Sequence, residues 1–138
     1  MSCFDNITRI HCILIYTKDK NKIVSRYYTD YIPETQRESF ESSIFDYSTN
    51  LQDSSIFEKD GYIVVTSSFY DLISFFISDK KCNELILFET QDILYSLLDN
   101  AFNGKVDSEN LRKNIGEVFL ILDDLIDQGY PFAIEATF

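Results

Sequence analysis

Hydrophobic residues run almost without interruption through residues 9–17, and this pattern predicts a strand that is covered on both faces. Successive side chains of a strand point to opposite faces of the sheet. One face would carry Ile10, Cys12, Leu14 and Tyr16, and the other Ile13 and Ile15. Since apolar residues occur on both faces, we expect a sheet that lies between two covering layers.

A hairpin and a helix are predicted after this strand. A polar, turn-rich stretch separates it from a second strand at residues 22–29. Pro33 ends the second strand, and the Thr35-x-x-Glu38 spacing is typical of a capping box at the start of a helix. The predicted helix spans residues 35–48. Its apolar side chains recur at helical spacing at Phe40, Ile44, Tyr47 and Leu51.

The middle of the chain predicts a three-stranded meander. Its strands are expected at residues 55–58, 62–69 and 72–78. Asp60-Gly61 is a typical hairpin turn between the first two strands, and Tyr70-Asp71 separates the last two. Such short turns join antiparallel strands, so the meander predicts a mainly antiparallel sheet.

Two helices are predicted in the last third of the chain. The first spans residues 83–102 with Asn83 as its N-cap, and it is apolar on so many sides that we expect it to be buried on most of them. The second spans residues 107–127, and Gly129 would be its C′ residue. The order β-β-α-β-β-β-α-α predicts an α/β-type domain of the α+β class, with a five-stranded sheet sandwiched between helices.

The whole chain, residues 1–138, is expected to form a single domain, because its length and its 45% hydrophobic content suit one core. Residues 1–8 are predicted to be a flexible N-terminus, and residues 130–138 a tail. Four apolar tail residues would either pack back on the domain or dock on a partner: Phe132, Ala133, Ile134 and Phe138.

The net charge of −11 argues against two kinds of binding. Nucleic-acid binding needs a basic surface that neutralises phosphates, and direct docking on anionic lipid needs clusters of Lys and Arg. The three cysteines, Cys3, Cys12 and Cys82, are few and widely spaced, which indicates a reduced, cytosolic protein without disulfides or a zinc site. We therefore expect no nucleic-acid partner and only indirect membrane association.

No catalytic constellation is recognisable in the sequence. Asp123, Asp124 and Asp127 could hold Mg²⁺ from one helical turn, but a solvated acidic face is the favoured interpretation, since no second acidic cluster accompanies them. His11, the single histidine, is interpreted as a half-buried strand histidine with satisfied hydrogen bonds. We expect no catalytic, cofactor-binding or metal-binding residues and no enzyme activity.

Four segments in order resemble the zeta subunits of coatomer, which are small subunits of the adaptor-complex type. The first contains Arg26, Tyr27, Tyr28, Asp30, Pro33, Phe40, Glu41, Ile44 and Phe45. The others are the meander, the Asn83-Glu84-Leu85 start of the next helix, and the segment 114–129 with its Asp123-Asp124 pair. The related sigma subunits usually have Trp-Tyr where this chain has Tyr27-Tyr28, so the resemblance favours zeta.

This resemblance implies a longin-like fold and a non-enzymatic small subunit of the COPI vesicle coat. Such a subunit would pair with the gamma large subunit of coatomer, would be recruited with it by an Arf-type GTPase, and would serve Golgi-to-ER and intra-Golgi transport. It would be cytoplasmic, and peripheral on Golgi and COPI vesicle membranes.

The dense aromatic residues after the first hairpin serve either the core or a partner. We expect part of this stretch to contact the large subunit, and the candidate interface residues are Arg26, Tyr27, Tyr28 and Tyr31. Three alternatives stay open: a sigma-type subunit of a clathrin adaptor, a free-standing longin-like regulatory domain, and, last, a small Mg²⁺-dependent hydrolase.

Overall fold

A computed structural model describes residues 8–50 and 54–131 of the chain. Five antiparallel strands form one sheet in the order β2-β1-β5-β4-β3. The strands are β1 Ile10–Thr17, β2 Lys22–Tyr27, β3 Ser54–Lys59, β4 Tyr62–Phe69 and β5 Leu72–Asp79. The helices are α1 Glu34–Ser48, α2 Glu84–Ala101, α3 Ser108–Lys113 and α4 Ile115–Leu125.

The sheet separates two hydrophobic clusters, so the predicted sandwich is confirmed. On one face, Phe40, Ile44 and Phe45 of α1 pack with apolar residues of the sheet such as Leu14 and Phe75. On the other face, leucines of α2, α3 and α4 form a second cluster, among them Leu94, Leu111 and Leu122. We call the first the α1-side cluster and the second the α2–α4 cluster. Every residue of β1 is buried, as expected of a central strand with both faces covered.

The predicted facing of β1 is wrong at one residue. Ile10 packs with Ile13 and Ile15 in the α2–α4 cluster, and not with Cys12, Leu14 and Tyr16. The pairing of β1 with β5 shifts register between Ile10 and Cys12. Such an irregularity moves all side chains before it to the other face, and regular alternation cannot predict it.

Helix α1 begins one residue before the predicted start, and the predicted capping box is wrong. Pro33 is the N-cap residue, and no side chain caps the helix. Since Thr35 already lies inside the helix, its hydroxyl is past the position from which an N-cap accepts the first free N–H groups. Leu51, predicted to continue the apolar stripe, lies outside the described residues.

The meander is confirmed with its turns. Asp60 and Gly61 have φ angles of 54° and 89°, and two positive φ angles are what a two-residue type I′ hairpin turn requires.

Helix α2 has the predicted cap, but it is not buried on most sides. The Asn83 side chain accepts a hydrogen bond from the Leu85 N–H over 3.1 Å. The inner face is fixed on the sheet, where Gln91 Nε2 donates to the Val65 carbonyl oxygen over 3.1 Å. Leu85 and Leu97 are 63% and 37% exposed, because an outer-layer helix has only one face against the sheet.

The predicted helix over residues 107–127 is divided in the structure. Helices α3 and α4 meet at Asn114, whose φ and ψ of −121° and 37° are not helical. Its side-chain amide donates to the Asn110 carbonyl oxygen over 3.0 Å, a local bond that competes with helix continuation. Gly116, in the first turn of α4, has open space beside it, so close packing of another backbone does not explain this glycine.

After α4 the chain forms a small hairpin, and the prediction that Gly129 is a helix C′ residue is wrong. Strand β6, Ile126–Asp127, pairs with β7, Tyr130–Pro131. Gly129, with φ 96°, lies in the turn, and its carbonyl oxygen accepts a hydrogen bond from the Ile10 N–H over 2.7 Å. The hairpin therefore ties the end of the described chain to the start of β1.

The predicted terminal segments fall largely outside the described residues, including Phe132, Ala133, Ile134 and Phe138. Thr8, the last residue of the predicted N-terminal segment, is buried, and its hydroxyl oxygen accepts a hydrogen bond from the Asn83 N–H over 2.7 Å.

Candidate partner-binding site

A buried carboxylate joins helix α1 to strand β2. Glu41 is only 3% exposed. Its Oε2 accepts hydrogen bonds from the Tyr27 hydroxyl over 2.7 Å and from the Ser25 hydroxyl over 3.2 Å. Lys22 Nζ lies 3.0 Å from Oε1 and supplies the opposite charge. Burying a carboxylate is tolerated only when it is paired and hydrogen-bonded, and β2 meets both conditions.

Tyr27 contributes mainly to the packing of the protein's own core. Its ring packs against the α1-side cluster, and the Arg37 guanidinium carbon lies 4.1 Å from the ring centroid. Burial, together with the nearby Glu41 carboxylate, raises the pKa of the Tyr27 hydroxyl far above its usual value. The neutral hydroxyl is thus held as a hydrogen-bond donor to Glu41.

Tyr28 points to the opposite face of the sheet from Tyr27. Its ring packs against the α2–α4 cluster, and the Arg26 guanidinium carbon lies 5.7 Å from the ring centroid. Burial raises the pKa of Tyr28 to about 12. The adjacent tyrosines therefore complete the two cores, one on each side of the sheet.

Arg26 connects the edge strand β2 to helix α4. Its Nη2 lies 2.8 Å from Oδ1 of Asp123, and both side chains are nearly half exposed. The guanidinium carbon also lies 5.9 Å from the centroid of the Phe119 ring. This geometry leaves part of the Arg26 side chain accessible at the surface.

The three aspartates do not share a helical turn, contrary to the interpretation as one acidic face of a helix. Asp123 and Asp124 lie in α4, whereas Asp127 lies in the short strand β6. All three are exposed. Within residues 8–50 and 54–131, no group of three or more His, Cys, Asp or Glu residues could hold a metal ion.

Tyr31 is the exposed member of the predicted site, with 61% of its surface accessible. Its ring lies edge-on to the His11 ring, 4.6 Å between centroids. His11 itself is 1% exposed, more deeply buried than predicted, and its hydrogen bonds are satisfied as predicted. Nε2 lies 2.6 Å from Asp79 Oδ1, and Nδ1 lies 3.0 Å from the Thr29 hydroxyl.

Tyr31 forms one wall of a surface groove of about 590 Å³ between the start of α1 and the β3–β4 turn. Pro33, Phe40 and Tyr62 are among the other lining residues. The structure thus divides the four candidate residues: Tyr27 and Tyr28 are largely fixed in the two cores, while Arg26 and Tyr31 present accessible surface.

Glu41 was not among the predicted site residues, although the sequence carries a signal for it. Glu41, Ile44, Phe45 and Ser48 follow helical spacing, and all four are buried on one face of α1. A carboxylate inside an apolar stripe indicates a buried charge that needs partners. Its partners in β2 could not be named without the tertiary structure.

The architecture is the longin-like fold. A chain of the structure described as "Homology model of the full-length AP-3 complex in a stretched open conformation" is similar to it, with a TM-score of 0.71 and 16% identity. The likeness covers 89% of this chain and 84% of that chain.

The family model described as "Clathrin adaptor complex small chain" matches residues 9–135, and the chain belongs to this family. It is similar to coatomer subunit zeta-1 of Homo sapiens, 31% identical over 121 residues, which cover 87% of this chain and 68% of that protein. The probable coatomer subunit zeta-A of Dictyostelium discoideum is 28% identical over 131 residues, which cover 94% of this chain and 75% of that protein. The predicted resemblance is confirmed, and the chain is a coat-type small subunit.

In the described part of the chain, no helix is both long enough and apolar enough to cross a bilayer.

Proposed function

We propose that this protein is the zeta-type small subunit of a COPI coat and pairs with a gamma-type large subunit. The observation that carries the proposal is the 31% identity to coatomer subunit zeta-1 over 87% of this chain. In this role the protein serves Golgi-to-ER and intra-Golgi vesicle transport. It is a cytoplasmic protein that reaches Golgi and vesicle membranes as part of the coat.

The function proposed is mechanical and not catalytic. A sheet with a core on each face is a rigid block around which a large subunit can fold, and the buried bond network of Glu41 fixes α1 to that block. An Arf-type GTPase acts on the assembled complex and not on this chain alone. The net charge of −11 supports indirect membrane contact, since anionic lipids repel such a surface.

The proposed interface with the large subunit lies along β2 and the loop that follows it, at Arg26, Tyr27, Tyr28 and Tyr31. Tyr31 supplies the largest accessible aromatic surface of the four, at 61% exposure. Arg26 offers a side chain that is 41% exposed on the edge strand. Arginine and tyrosine are both enriched among residues that dominate binding energy at interfaces. Tyr27 and Tyr28 contribute by fixing the position of β2, since their rings pack into the cores on opposite faces of the sheet.

Affinity purification of the tagged full chain from cytosol, followed by identification of the co-purifying large chain, tests the pairing. We expect a gamma-type large chain at equal stoichiometry. An adaptor large chain in its place would overturn the proposal in favour of a sigma-type subunit. A monomer without a large chain would indicate a free-standing longin-like regulatory domain.

A further inference from the structure

Two leucines are the most exposed large hydrophobic residues in the described part of the chain. Leu85 of α2 is 63% exposed and Leu120 of α4 is 66% exposed. Both helices cover the same face of the sheet, because Leu94 and Leu98 of α2 share one cluster with Leu122 of α4. Burial of that inner side places Leu85 and Leu120 on the outer surface of one helical layer.

Carboxylates lie at helical spacing from both leucines, three from Leu120 and one from Leu85. Glu117, Asp123 and Asp124 lie three or four residues from Leu120 along α4. Residues three or four apart are neighbours on a helix surface, so Leu120 is an apolar point among acidic side chains. The same spacing places Glu89 next to Leu85 on α2, where Glu84 directly precedes Leu85 and Asp92 lies two turns further along the helix.

Helices α2 and α4 carry a negative charge that few ion pairs compensate, and the basic residues of this layer, Arg112 and Lys113, lie at the end of α3. Helix α2 contains four carboxylates and α4 contains three, and neither helix contains Lys or Arg. Of these seven, Asp123 alone has an ion pair within the described ranges, with Arg26. On the opposite face of the sheet, by contrast, Lys20 and Lys22 neutralise Asp46 and Glu41 of α1.

We propose that the outer face of α2 and α4 binds a basic amphipathic helix of a partner protein. Leu85 and Leu120 would contact the apolar side of that helix, and the surrounding carboxylates would pair with its Lys and Arg residues. An amphipathic helix laid on an apolar surface is a common mode of recognition. The charge complementarity selects a basic helix and disfavours acidic peptides and anionic lipid surfaces.

The proposal does not depend on which large chain pairs with the protein. It concerns a face other than the proposed interface at β2 and Tyr31. If the pairing experiment fails, the proposed binding of a basic helix is unaffected. If no basic helix binds, the proposed function as a coat subunit is unaffected.

Fluorescence anisotropy with a designed peptide tests the proposal on the full chain. The probe is a helical peptide of about 18 residues with leucines on one side and lysines on the other. A charge-reversed control peptide keeps the leucines and has glutamates in place of the lysines. We expect the lysine peptide to bind and its affinity to fall as salt rises from about 50 to about 300 mM, because counter-ions screen exposed charges. The glutamate peptide should bind at least about tenfold more weakly.

Matched variants locate the binding. Leu85→Ser with Leu120→Ser should weaken binding of the lysine peptide about tenfold, through lost apolar burial. The control replaces two exposed apolar residues elsewhere, Ile56→Ser with Tyr70→Ser, and should leave binding unchanged.

A second pair of variants tests the charge. Three changes on the acidic face, E89Q, E117Q and D124N, should weaken binding and reduce its salt dependence. Three matching changes on α1, E34Q, E38Q and D46N, alter the net charge equally and should have little effect on binding.

Three outcomes would overturn the proposal. The first is equal binding of the lysine and glutamate peptides. The second is an equal loss of affinity for the lysine peptide in the α2–α4 variants and in their controls. The third is self-association that the leucine variants abolish, since a second copy would then be the occupant.

Discussion

The hydroxyl group of Tyr27 donates a hydrogen bond to Oε2 of Glu41 over 2.7 Å. This bond joins the edge strand β2 to helix α1 from the buried side. Both residues belong to the sequence pattern that resembles the zeta subunits, so the bond gives that pattern a physical reason. The carboxylate needs donors, and the tyrosine needs an acceptor once its ring is buried.

Replacing Glu41 by leucine should lower the free energy of unfolding by about 2–4 kcal/mol, as expected when one partner of a buried charged network is removed. Leucine cannot accept the hydrogen bonds of Tyr27 and Ser25, and Lys22 loses its counter-charge. Urea unfolding measures the effect. Glu38→Leu, at an exposed position of the same helix, is the control and should change stability by less than about 0.5 kcal/mol. Equal losses in the two variants would show that Glu41 makes no special contribution.

Stability should fall above about pH 10 because tyrosines are buried in the neutral form. Burial raises the folded-state pKa of Tyr28 from 10.0 to about 12. A group whose pKa is raised by folding stabilises the protein fully below its unfolded-state pKa, and this contribution is lost as pH rises from about 10 to about 12. Tyr95, whose pKa burial also raises to about 12, adds to the effect.

Urea unfolding of a Tyr28→Phe variant across this alkaline range isolates one titrating group. The variant should lose less stability per pH unit than the wild type. Tyr70→Phe is the control for the loss of a tyrosine hydroxyl group, because the Tyr70 side chain is 55% exposed. A Tyr28→Phe slope equal to that of the wild type would mean that the Tyr28 hydroxyl ionises freely in the fold.

Tyr31→Ala should weaken capture of the large subunit without changing stability. The side chain is 61% exposed, so its loss removes little buried surface from the isolated chain. We expect about a tenfold loss of affinity, typical of a central aromatic residue in an interface. Tyr70→Ala, at a comparably exposed tyrosine in the β4–β5 turn, should bind normally. Unchanged binding by Tyr31→Ala, with Arg26→Ala also unchanged, would remove the proposed interface.

The ion pair between Arg26 and Asp123 should contribute little to stability. Both side chains are nearly half exposed, and solvent screens such pairs. A double-mutant cycle with Arg26→Ala and Asp123→Ala should give a coupling energy below about 1 kcal/mol. A coupling above about 2 kcal/mol would instead assign the pair a structural role in holding α4 against β2.

Replacement of two glycines by alanine should change the stability of the protein in opposite directions. A Cβ on Gly129 would lie 2.5 Å from the Ile10 carbonyl oxygen, and the backbone there has φ 96°. Gly129→Ala should therefore destabilise the protein by about 2 kcal/mol or more. Gly116 lies in α4 with open space around it, so Gly116→Ala should stabilise by up to about 1 kcal/mol. Thermal unfolding of both variants checks the prediction, which fails if the two shifts have the same sign.

Periodicity and turn chemistry were sufficient to predict the main elements. The double-sided burial of β1 follows from its unbroken apolar run, and the type I′ turn follows from Asp60-Gly61, because these signals are local. The boundary at Asn114 and the hairpin at Gly129 were missed, the first because the break lies inside a continuous pattern and the second because it depends on a bond to a distant part of the chain. Asn114 lies inside an apolar stripe that continues across it, and Gly129 is held by Ile10.

The location of the candidate site stays a prediction, and the sequence did not indicate how its residues are arranged. The density of aromatic residues at Tyr27, Tyr28 and Tyr31 pointed to this stretch of chain. Which of them is buried depends on what packs against each face of β2. The sequence could not supply that, because α1 and the α2–α4 layer come from distant parts of the chain.

By itself, the sequence determined the order of the five main strands and of helices α1 and α2, the two-sided core and the resemblance to coat subunits, since these rest on local pattern and side-chain type. Only the tertiary structure decided that Glu41 is the acceptor for β2, that Ile10 faces the other core, and that Leu85 and Leu120 remain exposed among carboxylates. The reason is physical: each of these depends on long-range packing, where a one-residue shift in register or an absent neighbour reverses the environment of a side chain.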